Sequence, residues 1–105
     1  GVITSRNRAE FDSDRHLSEW MHYFTLTICA EDAPKHKPAP DPMWLFLEKT
    51  EADPSNVLFV GDTYNDQLCA HAAGTSFALA LWGTRNGKDL PAEFYLERPR
   101  DLLTL

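Results

Sequence analysis

The sequence predicts an α/β fold built on a parallel sheet, and two patterns carry that expectation. Short apolar runs recur along the chain, and stretches able to form amphipathic helices lie between them. Strands that alternate with helices in this way form parallel sheets covered by those helices. The chain has 105 residues, enough for one domain but at the small end for such a fold.

The elements follow in order. Val2, Ile3 and Thr4 form the end of a strand. Residues 8–23 are polar and helix-compatible, with Leu17, Trp20, Met21 and Phe24 spaced for one apolar face. Asp12-Ser13-Asp14 is a start signal inside that stretch, which would leave residues 5–13 as loop. Residues 24–29 alternate threonine with large apolar residues and suit a strand. Residues 31–40 form a loop rich in proline and lysine. Asp41-Pro42 predicts a helix start, with the aspartate as N-cap and the proline at the first helical position. That helix should run to about residue 51. A buried strand is expected at 57–60, a helix at 64–73 ended by Gly74, and a second buried strand at 76–82. Residues 83–90 form a loop with Asn86-Gly87 at its turn. A last short strand at 94–96 and a helical turn at 99–105 close the chain.

Composition narrows the partners. The formal net charge is −6 and no basic stripe offsets it, which argues against a nucleic-acid-binding surface. No apolar run approaches the length of a membrane span. No signal-peptide pattern is present at the N-terminus, so a cytoplasmic protein is expected. Cys29 and Cys69 lie in apolar contexts and suit reduced core thiols of such a compartment. The chain opens at Gly1 directly on apolar Val2-Ile3, so we expect it to be part of a longer protein.

Three chemically pointed clusters fall at expected strand ends or in loops that should approach them, where parallel sheets bind ligands. In Gly61-Asp62-Thr63-Tyr64-Asn65-Asp66, two carboxylates four residues apart follow an apolar strand. Two hard oxygen donors at that place suit Mg²⁺, which takes few protein carboxylates and keeps room for water and phosphate. Thr63-x-x-Asp66 also fits a capping box, in which hydroxyl and carboxylate satisfy free amides at the helix start. Thr4 and Ser5 offer a hydroxyl and backbone amides able to bind phosphoryl oxygens. A lysine in Lys35-His36-Lys37-Pro38, held by a proline-rich segment, could neutralise charge on a transferring phosphoryl group. Singly, each of these fits an ordinary turn hydroxyl or a solvated lysine.

Taken together, Thr4 after its apolar strand, Lys37-Pro38-Ala39-Pro40-Asp41, Val60-Gly61-Asp62-Thr63-Tyr64-Asn65-Asp66 and Ala72-Ala73-Gly74 resemble the haloacid dehalogenase superfamily of phosphatases. Leu81-Trp82-Gly83 is similar to its phosphoglycolate-phosphatase-like branch. The resemblance implies a Rossmann-like core and a small phosphorylated substrate. It also implies roles. Thr4 and the Ser5 amide would hold the phosphoryl group, and Lys37 would pair with it and with the nucleophile. Asp62 would bind Mg²⁺, while Asp66 would bind it or orient its waters. Arg6 would have a supporting part, and His36 none.

The resemblance also implies a departure. The family's nucleophile stands in an Asp-x-Asp motif on a strand before the threonine, and nothing precedes Gly1 here. Asp12-Ser13-Asp14 has the letters but follows no buried strand. The expected sheet therefore lacks its N-terminal central strand, with exposed edges beside residues 2–4 and 57–60. Those edges would pair with the missing half or with a second copy. Between Thr4 and Lys37 a helix and a strand fill the chain, so no cap domain is expected there. The fragment alone should be inactive. A non-enzymatic half-domain that binds or oligomerises through its edges is the alternative.

Overall fold

The computed structural model describes residues 1–85 and 87–105 as five short strands and four α-helices joined by 3₁₀ turns. The strands are β1 (Val2–Ile3), β2 (Thr27–Ile28), β3 (Leu58–Gly61), β4 (Ser76–Ala80) and β5 (Phe94–Leu96). The helices are α1 (Arg8–Ser13), α2 (Arg15–Trp20), α3 (Asp41–Thr50) and α4 (Tyr64–Ala72). All pairing is parallel, as expected, but the sheet comes in two pieces. β1 pairs with β2, and β3-β4-β5 form a second sheet in that order.

The helix starts follow from local chemistry, not always where the sequence placed them. Residues 5–13 are not simply loop. Asn7 caps α1 in a capping box with Glu10, and Asp14 then caps α2 by accepting the amides of His16 and Leu17. Those two amides and the Arg6 guanidinium hold the Asp14 carboxyl below its usual range. The apolar face expected of Leu17, Trp20, Met21 and Phe24 is not buried, and Trp20 is 57% exposed. Phe11 anchors this region instead, at 1% exposure. The strand expected over residues 24–29 shrinks to two residues because only these reach a partner strand.

At α3 the N-cap is Pro40, which offers no side-chain bond, and Asp41 stands inside the first turn. Here proline's preset φ outweighs the capping preference of aspartate. α3 ends at Glu51 in the left-handed conformation, and α4 ends before Gly74 at φ +83°. The turn expected at Asn86-Gly87 falls partly outside the described residues; Gly87–Asp89 form a 3₁₀ turn.

The main core lies between β3-β4 and the helices, built from Met43, Phe59, Cys69, Phe77, Leu79 and Leu90 with small alanines. β4 is central and buried, as expected. β3 is not, because one of its edges has no partner among the described residues: Val60 is 37% exposed. Between β3 and β1 lies a slot of about 280 Å³, walled by Val2, Ile3 and residues 57–60 and floored by Met43 and Phe46 of α3. α3 packs against β1, β2 and α4 and so links the two sheets. Among the described residues no helix is long and apolar enough to cross a membrane.

The burial difference between Phe11 and Trp20 can be checked by truncation. Phe11→Ala should cost about 3–5 kcal/mol of stability in urea unfolding, as loss of a buried aromatic does. Trp20→Ala should stay within about 0.5 kcal/mol of the parent.

Candidate active site

Thr4 and Ser5 follow β1, Asp62 and Thr63 follow β3, and Trp82 follows β4. All line one cleft of about 560 Å³ at the carboxyl ends of those strands, and Lys37, Asn65 and Asp66 complete it. The structure thus brings together Thr4, Ser5, Lys37, Asp62 and Asp66. Arg6, Lys35 and His36 do not line it. Arg6 instead pairs with Asp14 at 2.7 Å, and His36 is an exposed loop residue.

Asp66 is the most constrained of these side chains. Its Oδ1 accepts the Lys37 Nζ at 2.7 Å, and both side chains are largely buried, at 9% and 13% exposure. Its Oδ2 accepts the backbone amides of Asp62 at 3.1 Å and Thr63 at 3.3 Å. Thr63 completes the reciprocal capping box by accepting the Asp66 amide at 3.1 Å. The capping reading of these two residues is therefore realised in the fold. Gly61 makes it feasible: a Cβ there would stand 2.7 Å from Asp66 Cβ. Lys37 is also 5.9 Å from the centroid of the Phe59 ring, within cation–π range.

The Asp62 carboxylate differs. It is half-buried, lines the cleft, and has no hydrogen-bond or ion-pair partner among the described residues. Two chemically identical residues are thus divided by environment, one committed to the protein and one left with free oxygen lone pairs. At Thr4, Oγ1 accepts the Arg6 amide at 3.1 Å, and Thr4's own amide donates to Ile28 at 2.9 Å. The hydroxyl hydrogen remains for donation to an anion, and the Ser5 amide has no partner among the described residues.

The donor set bears on a metal. Among the described residues no group of three or more His, Cys, Asp or Glu side chains could hold an ion. The Asp62 and Asp66 carboxylates of the cleft suit a cation such as Mg²⁺, bound through one or two carboxylates plus phosphate and water. Cys69 is no rival nucleophile, because burial pushes its thiol up and away from the reactive thiolate. Asp12-Ser13-Asp14 lies at the junction of α1 and α2, not at a strand end.

Sequence reasoning missed Trp82 and Asn65. Trp82 carried a usable signal, since it is a large aromatic just beyond a strand's carboxyl end and is 49% exposed. Asn65 had none, because a polar residue in a first helical turn is commonplace.

Residues 1–80 match the haloacid dehalogenase-like hydrolase family. The chain is 31% identical to the pyrophosphatase PpaX of Bacillus pumilus over 108 aligned positions, covering all of this chain and 50% of that protein. A protein of Lactobacillus plantarum provisionally assigned as a phosphoglycolate phosphatase superposes with a TM-score of 0.90 at 37% identity, over 96% of this chain and 49% of its own. A haloacid dehalogenase-superfamily hydrolase of subfamily IA from Geobacter sulfurreducens gives a TM-score of 0.85 at 32% identity, over 99% and 46%. The chain spans about half the length of the curated relatives it matches.

The Lys37–Asp66 pair makes a direct stability prediction. Lys37→Met leaves a buried carboxylate without its cation and should cost about 3–5 kcal/mol. Lys37→Met with Asp66→Asn, which keeps an oxygen for the Asp62 and Thr63 amides, should recover much of that loss in urea unfolding. An exposed, unimportant pair would show no such recovery.

Proposed function

Because the chain belongs to the haloacid dehalogenase-like hydrolase family, we propose that it is the C-terminal part of a Mg²⁺-dependent phosphatase acting on a small phosphorylated metabolite. The observation that carries this reading is the free Asp62 carboxylate sharing one cleft with the Lys37 ammonium and the Thr4 hydroxyl. Mg²⁺ held by Asp62 would polarise phosphoryl oxygens. The lining residues count one lysine against two aspartates, an excess of one negative charge that would repel a phosphate ester without a divalent cation.

The chain's own groups position the reactant and do not attack it. Thr4 and the Ser5 amide donate to phosphoryl oxygens, and Lys37, oriented by Asp66, neutralises the charge that builds during transfer. Asp66 fixes Lys37 in place, and the lone pair left on its Oδ1 could bind the cation or orient its waters. The attacking aspartate, which would form an aspartyl-phosphate, belongs to the rest of the proposed protein. The substrate is a phosphomonoester of phosphoglycolate or sugar-phosphate type, or pyrophosphate, in keeping with the proteins this chain resembles. Residues 1–105 would be one portion of the core domain without a cap, in a reducing compartment such as the cytoplasm that suits two free, buried thiols.

The proposal also assigns the slot between β1 and β3. Two strand edges without partners, above an apolar floor, suit one more strand from the remainder of the protein. Self-association of the chain through the same edges is the competing outcome.

Two experiments test this reading. The full-length protein should hydrolyse small phosphomonoesters or pyrophosphate with Mg²⁺, and the 105-residue chain alone should not. Asp62→Asn and Lys37→Met should each lower kcat by roughly 100-fold or more in the full-length protein. Undiminished turnover in both variants would overturn the proposal. For the slot, the isolated chain should melt well below the same segment in the full-length protein, as seen by hydrogen exchange in β1 and β3. Equal protection in an isolated monomer would remove the strand assignment, and a stable dimer would replace it with self-association.

A further inference from the structure

Gly83 stands in the turn after β4, and its missing side chain is explained by one neighbour. A Cβ at Gly83 would lie 2.9 Å from Asp62 Cβ and 3.0 Å from Asp62 Cγ, with Oδ2 closer still. Real side-chain carbons do not approach so near, so something would have to move. No other reason for glycine is apparent at this position. Its φ is not in the left-handed region, where the described glycines are Gly74 and Gly87. It is also exposed, so a methyl group would otherwise project into solvent.

Neither backbone can readily retreat. The Gly83 amide donates to Ala80 at 3.1 Å, and the Leu81 amide to Leu96 at 2.8 Å, which ties the turn to β4 and β5. Asp62 is held through its own amide by Asp66 at 3.1 Å. The atoms left to move are those of the Asp62 side chain.

We propose that Gly83 is a positioning residue for the Asp62 carboxylate, its bare backbone forming the wall against which that side chain is set in the cleft. The inference rests on the reading of Asp62 as a metal ligand and goes beyond it, because it names what fixes the ligand's orientation. With no Cβ at Gly83, the Asp62 carboxylate occupies the space that a side chain there would take. Metal affinity is sensitive to groups that orient a ligand, typically by 10–100-fold.

The test uses the full-length protein, with Mn²⁺ as the probe followed by electron paramagnetic resonance, and urea unfolding in parallel. Gly83→Ala should weaken Mn²⁺ binding by roughly 10–100-fold, and Asp62→Ala should abolish it. Gly83→Ala should also lower the unfolding midpoint, and that loss should vanish in an Asp62→Gly background, where the clashing atoms are gone. If Gly83→Ala does not fold alone, the double variant should fold. Wild-type Mn²⁺ affinity in Gly83→Ala, with binding lost in Asp62→Ala, would overturn this inference and leave the proposed function standing. An equal stability loss from Gly83→Ala in both backgrounds would also overturn it. Unchanged binding in Asp62→Ala would remove the ligand reading on which both depend.

Discussion

The contact on which the site depends is the buried ion pair between Lys37 and Asp66. Such a pair contributes little net stability, because desolvating both charges offsets their attraction. Its consequence is placement. Asp66 accepts from Lys37 with one oxygen and from the Asp62 and Thr63 amides with the other, and Thr63 closes the box at the start of α4. A loop remote in sequence, the end of β3 and the first turn of α4 thereby become one rigid unit. That unit requires glycine at position 61, where any Cβ would collide with the carboxylate it supports.

The same arrangement separates the two aspartates. Had Asp66 been left free, the cleft would hold two uncommitted carboxylates of like charge. Pairing one with lysine and two amides removes that conflict and leaves Asp62 as the single uncommitted anion. Capping and the proposed role in phosphoryl transfer are then not rival accounts of Thr63-x-x-Asp66. The cap holds the helix start at the sheet end, and the helix start holds the lysine in the cleft.

The parts of this arrangement legible in the sequence were those set by short-range rules. Thr63, Asp66 and Gly74 marked α4 through capping chemistry, and the apolar runs marked β3 within one residue and the start of β4, whose end falls at Ala80 where the strand was expected to reach 82. Lys37 was legible only by its company, since a lysine in a proline-rich loop is ordinarily solvated. What sequence could not supply came from tertiary contacts. The spacing of Leu17, Trp20, Met21 and Phe24 described a face that is only half-buried, with Trp20 exposed, while Phe11, unmarked by periodicity, is fully buried. The proximity of Gly83 to Asp62 joins turns after two different strands, and no local pattern encodes it.

The split sheet gives these parts unequal footing. Asp62, Asp66 and Lys37 belong to the unit built on β3 and α4, whereas Thr4 and Ser5 ride on the β1–β2 ribbon across the slot. A two-stranded ribbon with two residues per strand is marginal by itself, so its position rests on packing against α3 and on whatever fills the slot. The groups proposed to hold the cation and those proposed to hold the phosphoryl group can therefore be preorganised to different degrees. The lysine–aspartate half carries its geometry in its own hydrogen bonds. On the proposed filling of the slot, the threonine half would acquire the same precision once a strand paired with both open edges and turned two sheets into one.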